Sequence, residues 1–125
     1  MSAGEVKEIA RQLKIQTGVC RRLSKDVTSY QKEAADEKTA IDKMAENIDG
    51  ADEQTKYKLK QAREAHAETM AMVEDSRNRL DDALPRLESL IASAKEKKLA
   101  ELIPDDITAA ETVVTDARKV LTSSQ

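Results

Sequence analysis

The stretch Val6–Ile48, VKEIARQLKIQTGVCRRLSKDVTSYQKEAADEKTAIDKMAENI, decides the fold. With Val6 set at heptad position a, that position also holds Leu13, Cys20, Val27, Ala34, Ile41 and Ile48. Position d holds Ile9, Gln16, Leu23, Tyr30, Glu37 and Met44. Six heptads in one register, with polar residues only at Gln16 and Glu37, predict one long helix with an apolar seam from Glu5 to Asn47. At 1.5 Å per residue it is about 65 Å long.

The next segment repeats the pattern. IDGAD, Ile48 to Asp52, reads as a turn, with Gly50 suited to a helix C-cap and Asp52 to an N-cap. From Glu53 to Lys97, Leu59, His66, Val73, Leu80, Leu87 and Ala94 recur at a. Ala62, Thr69, Ser76, Ala83 and Leu90 recur at d, and Met70, Leu84 and Ile91 at e widen the stripe. A short turn between two long helices makes them antiparallel neighbours. Pro85 lies within the second helix at f, the outward position. It removes a hydrogen bond to the Asp81 carbonyl, and a kink rather than a break is expected because the register resumes at Leu87.

Pro104 ends the connection that follows, and Asp105 can cap a third helix reaching Thr122. Ile107, Ala110, Val114, Ala117 and Leu121 recur there at helical spacing, joined by Val113 and Val120. The expected fold is all-α. It is an elongated antiparallel three-helix bundle with two long helices, a shorter third and coiled-coil-like packing, in a single domain spanning 1–125.

The third helix is less than half the length of the others, so it can cover only Val6 to Val27 and Leu80 to Ala94. The far half, with Tyr30, Ile41, Met44, Leu59, Met70 and Val73, is expected to be a bare hairpin. It is then either an association surface or a seam covered by Lys and Arg stems.

Composition excludes several function classes. Charged residues make up 36%, and Tyr30 and Tyr57 are the only aromatics, which suits a narrow aliphatic bundle. A net charge of −3 and two tyrosines disfavour nucleic acid. Cys20 is the only cysteine, so an intrachain disulfide or cysteine-cluster zinc site has no basis. The first residues lack an apolar leader core and no long apolar run follows, so a cytosolic protein without membrane contact is expected.

No chemistry-bearing motif appears. His66 is the only histidine and lies on the apolar stripe, where core or boundary packing is its ordinary role. Cys20 at a behaves as a small hydrophobe. No phosphate loop, GxGxxG or HExxH is present, and adjacent pairs such as Asp81–Asp82 do not converge on one point. No catalytic residue, metal or cofactor is expected.

Charge is more informative. Residues 1–25 carry six Lys and Arg against two Glu, and residues 99–117 carry five acids and no base. The fold sets these segments side by side, where ion pairs can hold helix to helix. Gly18 interrupts the basic segment at f, where glycine costs about 1 kcal/mol relative to alanine. Lys14 and Arg21 at b, Ile15 and Arg22 at c and Lys25 at f surround it. Either a partner approaches bare backbone there, or helix drift of about 20° per heptad turns Ile15 and Gly18 toward the third helix.

The segment RQLKIQTGVCRRLSKDVTSYQKEAADEKTAIDKM, Arg11 to Met44, resembles the first helix of the tubulin-binding cofactor A family. The likeness centres on Lys14–Leu23, on YQKEA and on IDKM. DSRNRLDDALPRLESLI, Asp75 to Ile91, and the terminal ETVVTDARKVLTSSQ resemble its second and third helices less specifically. Three departures stand out: the helix 2 proline lies at Pro85 rather than near Glu74, and the N-terminal lead and the Ala92–Pro104 connection are longer.

The resemblance implies a cytoplasmic, cytoskeleton-associated chaperone without enzymatic activity or bound nucleotide. It would capture quasi-native β-tubulin after chaperonin release and pass it to other tubulin-folding cofactors for heterodimer assembly. Tubulin is acidic, which makes the basic stripe a docking element. Lys14, Arg21, Arg22 and Lys25 are the expected docking cations, with Ile15, Gly18 and Tyr30 as contacts. Monomer and homodimer both stay open, and the alternative function is a self-associating coiled-coil structural or adaptor protein.

Overall fold

The computed structural model describes residues 1–123, so Ser124 and Gln125 at the end of the third family-like block lie outside the described residues. Helix α1 spans Ala3–Glu46, α2 spans Glu53–Glu96 and α3 spans Pro104–Thr122. A single 3₁₀ turn, Leu99–Glu101, precedes α3. The two long helices pack antiparallel along their length, and α3 folds back against both.

Each helix start has a local cause. Ser2 caps α1 by accepting the Glu5 N–H at 3.1 Å, and its hydroxyl also reaches the Glu5 carboxylate at 3.3 Å. Ser2 and Glu5 stand at capping-box spacing, with the carboxylate accepting from the Ser2 hydroxyl. The expected start at Glu5 therefore moves to Ala3, with Gly4 inside the first turn. Asp52 caps α2 as expected, accepting the Thr55 N–H at 2.7 Å.

Two expected caps are corrected. Gly50 does not cap α1, which ends at Asn47. It sits instead third in a turn closed by Ala51 N–H donating to the Ile48 carbonyl at 3.1 Å. Its φ of +82° is the left-handed geometry that such a turn requires. Asp105 does not cap α3 either. Pro104 takes the first helical position, Ile103 precedes it without a side-chain cap bond, and Asp105 and Asp106 fall in the first turn. Proline's fixed φ suits that position, where its missing N–H would have no intrahelical partner.

The α2 helix runs unbroken through exposed Pro85. Past its end, Lys98 adopts a left-handed conformation, φ 60° and ψ 40°, and turns the chain so that Leu99 enters the core.

The core lies in the three-helix half. Leu13, Cys20 and Val27 of α1 meet Leu80, Leu84, Leu87, Ile91 and Ala94 of α2 and Ile107, Ala110, Val113 and Ala117 of α3. Leu13, Leu80, Leu84 and Leu87 are fully buried. Burying each contributes about 2 kcal/mol. Cys20 is buried too. Burial first, then the Glu88 charge, pushes its thiol up, so it stays protonated and acts as filler.

The position of α3 explains the different fates of the α2 e residues. Leu84 and Ile91 lie under α3 and are buried, whereas Met70 lies beyond its end and is 38% exposed. At that end, Arg77 donates to the Val120 and Leu121 carbonyls and caps α3. The expectation of a bare far half is corrected in part. Ile41, Leu59 and Val73 are buried by the two-helix seam itself, while Met44, Tyr57, Met70 and Met72 are exposed. Two helices can cover only the centre line of each other's stripe, and the flanks stay open.

Candidate functional site

On a helix surface the nearest neighbours of a residue stand three and four positions away. For Gly18 these are Lys14, Ile15, Arg21 and Arg22, with Lys25 two turns beyond. The regular helix Ala3–Glu46 therefore assembles six of the expected site residues into one outward patch, with a notch at its centre. Lys14, Arg21, Arg22 and Lys25 are exposed, and Ile15 is 44% exposed. A Cβ added at Gly18 would meet nothing within 4 Å. The alternative in which helix drift buries Ile15 and Gly18 against the third helix is thus overturned: no neighbour approaches the glycine.

Tyr30 is not part of this patch. It stands at d, half-buried on the side of α1 away from α3. Two of the patch cations border α3. Lys14 lies 3.9 Å from Asp106, and Arg21 and Lys25 line a groove of about 660 Å³ whose far wall includes Asp116 and Val113. Among the described residues, Lys14–Asp106 is the one ion pair between α1 and α3. Lys95–Glu111, at 2.6 Å, and Arg118–Glu88 instead join α2 to α3. Arg21, Arg22 and Lys25 carry no ion pair among the described residues, so their charge faces outward.

The e line of α1 is a feature that the heptad reading passed over. Ala10, Thr17, Ser24 and Gln31 are small or polar, with Ser24 in the groove against α3 and Gln31 in the cleft past its end. Thr17 Oγ1, Ser24 Oγ and Gln31 Nε2 are buried without a hydrogen-bond partner in the protein. The run of non-aliphatic residues beside an aliphatic a line is the signal that would have placed the groove. Lys32, which lines the groove from the next f position, escaped notice for the same reason.

Among the described residues no three His, Cys, Asp or Glu side chains group to hold a metal ion. No described helix is long and apolar enough to cross a membrane. What the fold and patch define is a three-helix bundle that presents a charged helical surface. The sequence profile described as tubulin binding cofactor A matches residues 8–122, and the chain belongs to that family.

Its relatives agree. The chain is 36% identical to tubulin-specific chaperone A of Mus musculus over 91 residues, which are 73% of this chain and 80% of the relative. It is 38% identical to the Gallus gallus protein over 92 residues, again 73% and 80%. It is 37% identical to tubulin-folding cofactor A of Arabidopsis thaliana over 86 residues, 69% and 72%. The crystal structure of tubulin folding cofactor A from Arabidopsis thaliana superposes with a TM-score of 0.71 at 30% identity, covering 90% of this chain and 98% of that one.

Proposed function

We propose that this chain is a tubulin-folding chaperone that captures quasi-native β-tubulin and passes it on for heterodimer assembly in the cytoplasm. The observation that carries the docking mechanism is the ring of Lys14, Arg21, Arg22 and Lys25 around the open backbone of Gly18, three of them without an ion pair among the described residues. Cations held outward on a rigid helix attract an acidic client over about 10 Å at 0.1 M salt and about 30 Å at 0.01 M. Contact at short range then falls to Ile15 and to the notch at Gly18, where a client side chain or loop can reach the helix backbone.

The activity of such a protein is shape and charge rather than bond making. Cys20, held as a buried protonated thiol, supplies no nucleophile at the surface.

The test is co-migration with β-tubulin freshly released from chaperonin on a native gel. The wild-type chain is expected to form a complex containing β- but not α-tubulin. Arg21→Glu/Arg22→Glu is expected to weaken that complex at least tenfold at low salt, with helix content unchanged. Equal binding by the charge-reversed protein would remove the basic patch from the mechanism.

A further inference from the structure

The α3 helix stops half-way, and the groove it occupies does not. Beyond the Arg77 cap, the faces of α1 and α2 that hold α3 continue toward the turn. Thr28, Gln31, Ala35 and Lys38 of α1 face His66 and Met70 of α2 across an open cleft of about 570 Å³. Lys56, Lys60, Arg63 and Ala67 carry the same side of α2 onward. From Arg77 to Lys56 this open track is about 30 Å long, close to the length of the 19-residue α3 itself.

Its chemistry is that of a helix-binding groove. The floor is Ala35, Ala67 and the exposed Met70, small or adaptable side chains that let a backbone approach and then fill the remaining gaps. The rim carries an excess of bases: Lys38 on one wall and Lys56, Lys60 and Arg63 on the other, against Glu64 and, nearer Arg77, Glu74. Lys60 and Arg63 carry no ion pair among the described residues, and the rim acid Asp42 is tied to Lys38 at 3.3 Å. The opposite side of α1 in this half is acidic, with Asp26, Glu33 and Glu37. Charge thus distinguishes the two sides of α1, and the excess of bases around Lys60 and Arg63 favours an acidic occupant.

We propose that an amphipathic helix of the client, with an acidic flank, docks in this track and completes the bundle in the position that a longer α3 would hold. The proposal rests on the client-capture reading above and adds where and in what form the client binds. Its apolar side covers Met70 and Ala67, and its acids face Lys60, Arg63 and Lys38. Helix-in-groove binding of this type is read out by a few apolar anchors together with the charges beside them.

The test uses the full chain with chaperonin-released β-tubulin. Lys60→Glu/Arg63→Glu changes two exposed side chains, so the fold is expected to persist, checked by helix content and thermal midpoint. Complex formation is expected to fall at least tenfold at low salt and to be rescued by Lys60→Arg/Arg63→Lys. In parallel, a photo-crosslinking residue at Ala35, inside the track, is expected to capture a helical Asp- and Glu-rich segment of β-tubulin. The same residue at Ala40, outside the track, is not. If wild type binds, the double reversal binds equally and position 35 captures nothing, the docking track is overturned and the chaperone reading stands. If position 35 captures only a second copy of this chain, the track is a self-association site and the proposal falls. No complex with wild type overturns both readings.

Discussion

Glu37 and His66 meet across the hairpin, carboxylate Oε1 to imidazole Nδ1 at 3.3 Å, where each helix places a polar residue on its apolar seam. The other carboxylate oxygen accepts the Thr69 hydroxyl at 3.0 Å. Removing Glu37 leaves half-buried His66 without this partner, whereas the buried Thr69 hydroxyl keeps its bond to the Ala65 carbonyl at 3.2 Å. Glu37→Leu is therefore expected to destabilise the protein by about 1 kcal/mol. Glu37→Leu/His66→Leu, which makes the seam apolar on both sides, is expected to recover that loss. Urea midpoints of the single and double variants check the pair; additive losses would show that the two residues act separately.

Gly18→Ala separates stability from binding at one atom. The site is helical and a Cβ there meets open space. The free protein is expected to gain about 1 kcal/mol, visible as a higher thermal midpoint. The same methyl group fills the notch, so β-tubulin co-migration is expected to weaken. A more stable variant that binds as before would show that the client does not reach the backbone.

Lys98 bears a backbone conformation that a side chain disfavours, φ 60° and ψ 40°. Its N–H donates to the Lys95 carbonyl at 3.0 Å, a bond that glycine preserves. Lys98→Gly is expected to stabilise the protein by about 1 kcal/mol. Equilibrium denaturation measures the gain, and a loss would mean that the Lys98 side chain contributes packing.

Asp52 gives the acid limb of stability a specific component. Hydrogen bonding from Thr55, the side chain first and the backbone N–H second, holds its carboxyl below the ordinary carboxylate range, with a smaller contribution from Lys58. A depressed folded-state value means that the cap's stabilisation is fully present above the unfolded value of about 4. It is lost as pH falls through the lower folded value. Asp52→Asn keeps a capping oxygen that does not titrate. Its thermal midpoint is expected to fall less than that of wild type between about pH 5 and pH 2. Parallel curves would show that Asp52 carries no such coupling.

The parts of this fold that were legible in the sequence are those governed by period. Leu13, Cys20, Val27, Ala34 and Ile41 occupy one heptad line and are all buried, because a helix fixes its faces by spacing alone. Parts decided by contact between segments were less legible. Leu99 is hidden in the charged run KEKKLAEL, and only the turn at Lys98 brings it into the core. Val113, rather than Val114, lies on the centre of the α3 stripe, a choice settled by how α3 rotates into its groove. The Ser2 cap lies in a Ser-x-x-Glu spacing ahead of Val6, the first residue of the seam, so heptad spacing alone does not reach it. Of the site residues, helix geometry alone joined Lys14, Ile15, Gly18, Arg21, Arg22 and Lys25. It also left out Tyr30, whose d position looks away from them.

The early end of α3 also bears on how the molecule opens. Helices α1 and α2 are continuous, yet the three-way contacts stop near Arg77 and Val120. Backbone hydrogen bonds around Leu13 and Leu87 can break only when the three-layered core comes apart. Those near Ile41 and Leu59 are guarded by a single seam. Amide protons close to the turn therefore exchange with solvent through partial fraying of the hairpin, at lower cost than global unfolding. The half that holds the open track is the half whose backbone gives way first, so it can adjust to what it grips while the other end keeps its shape.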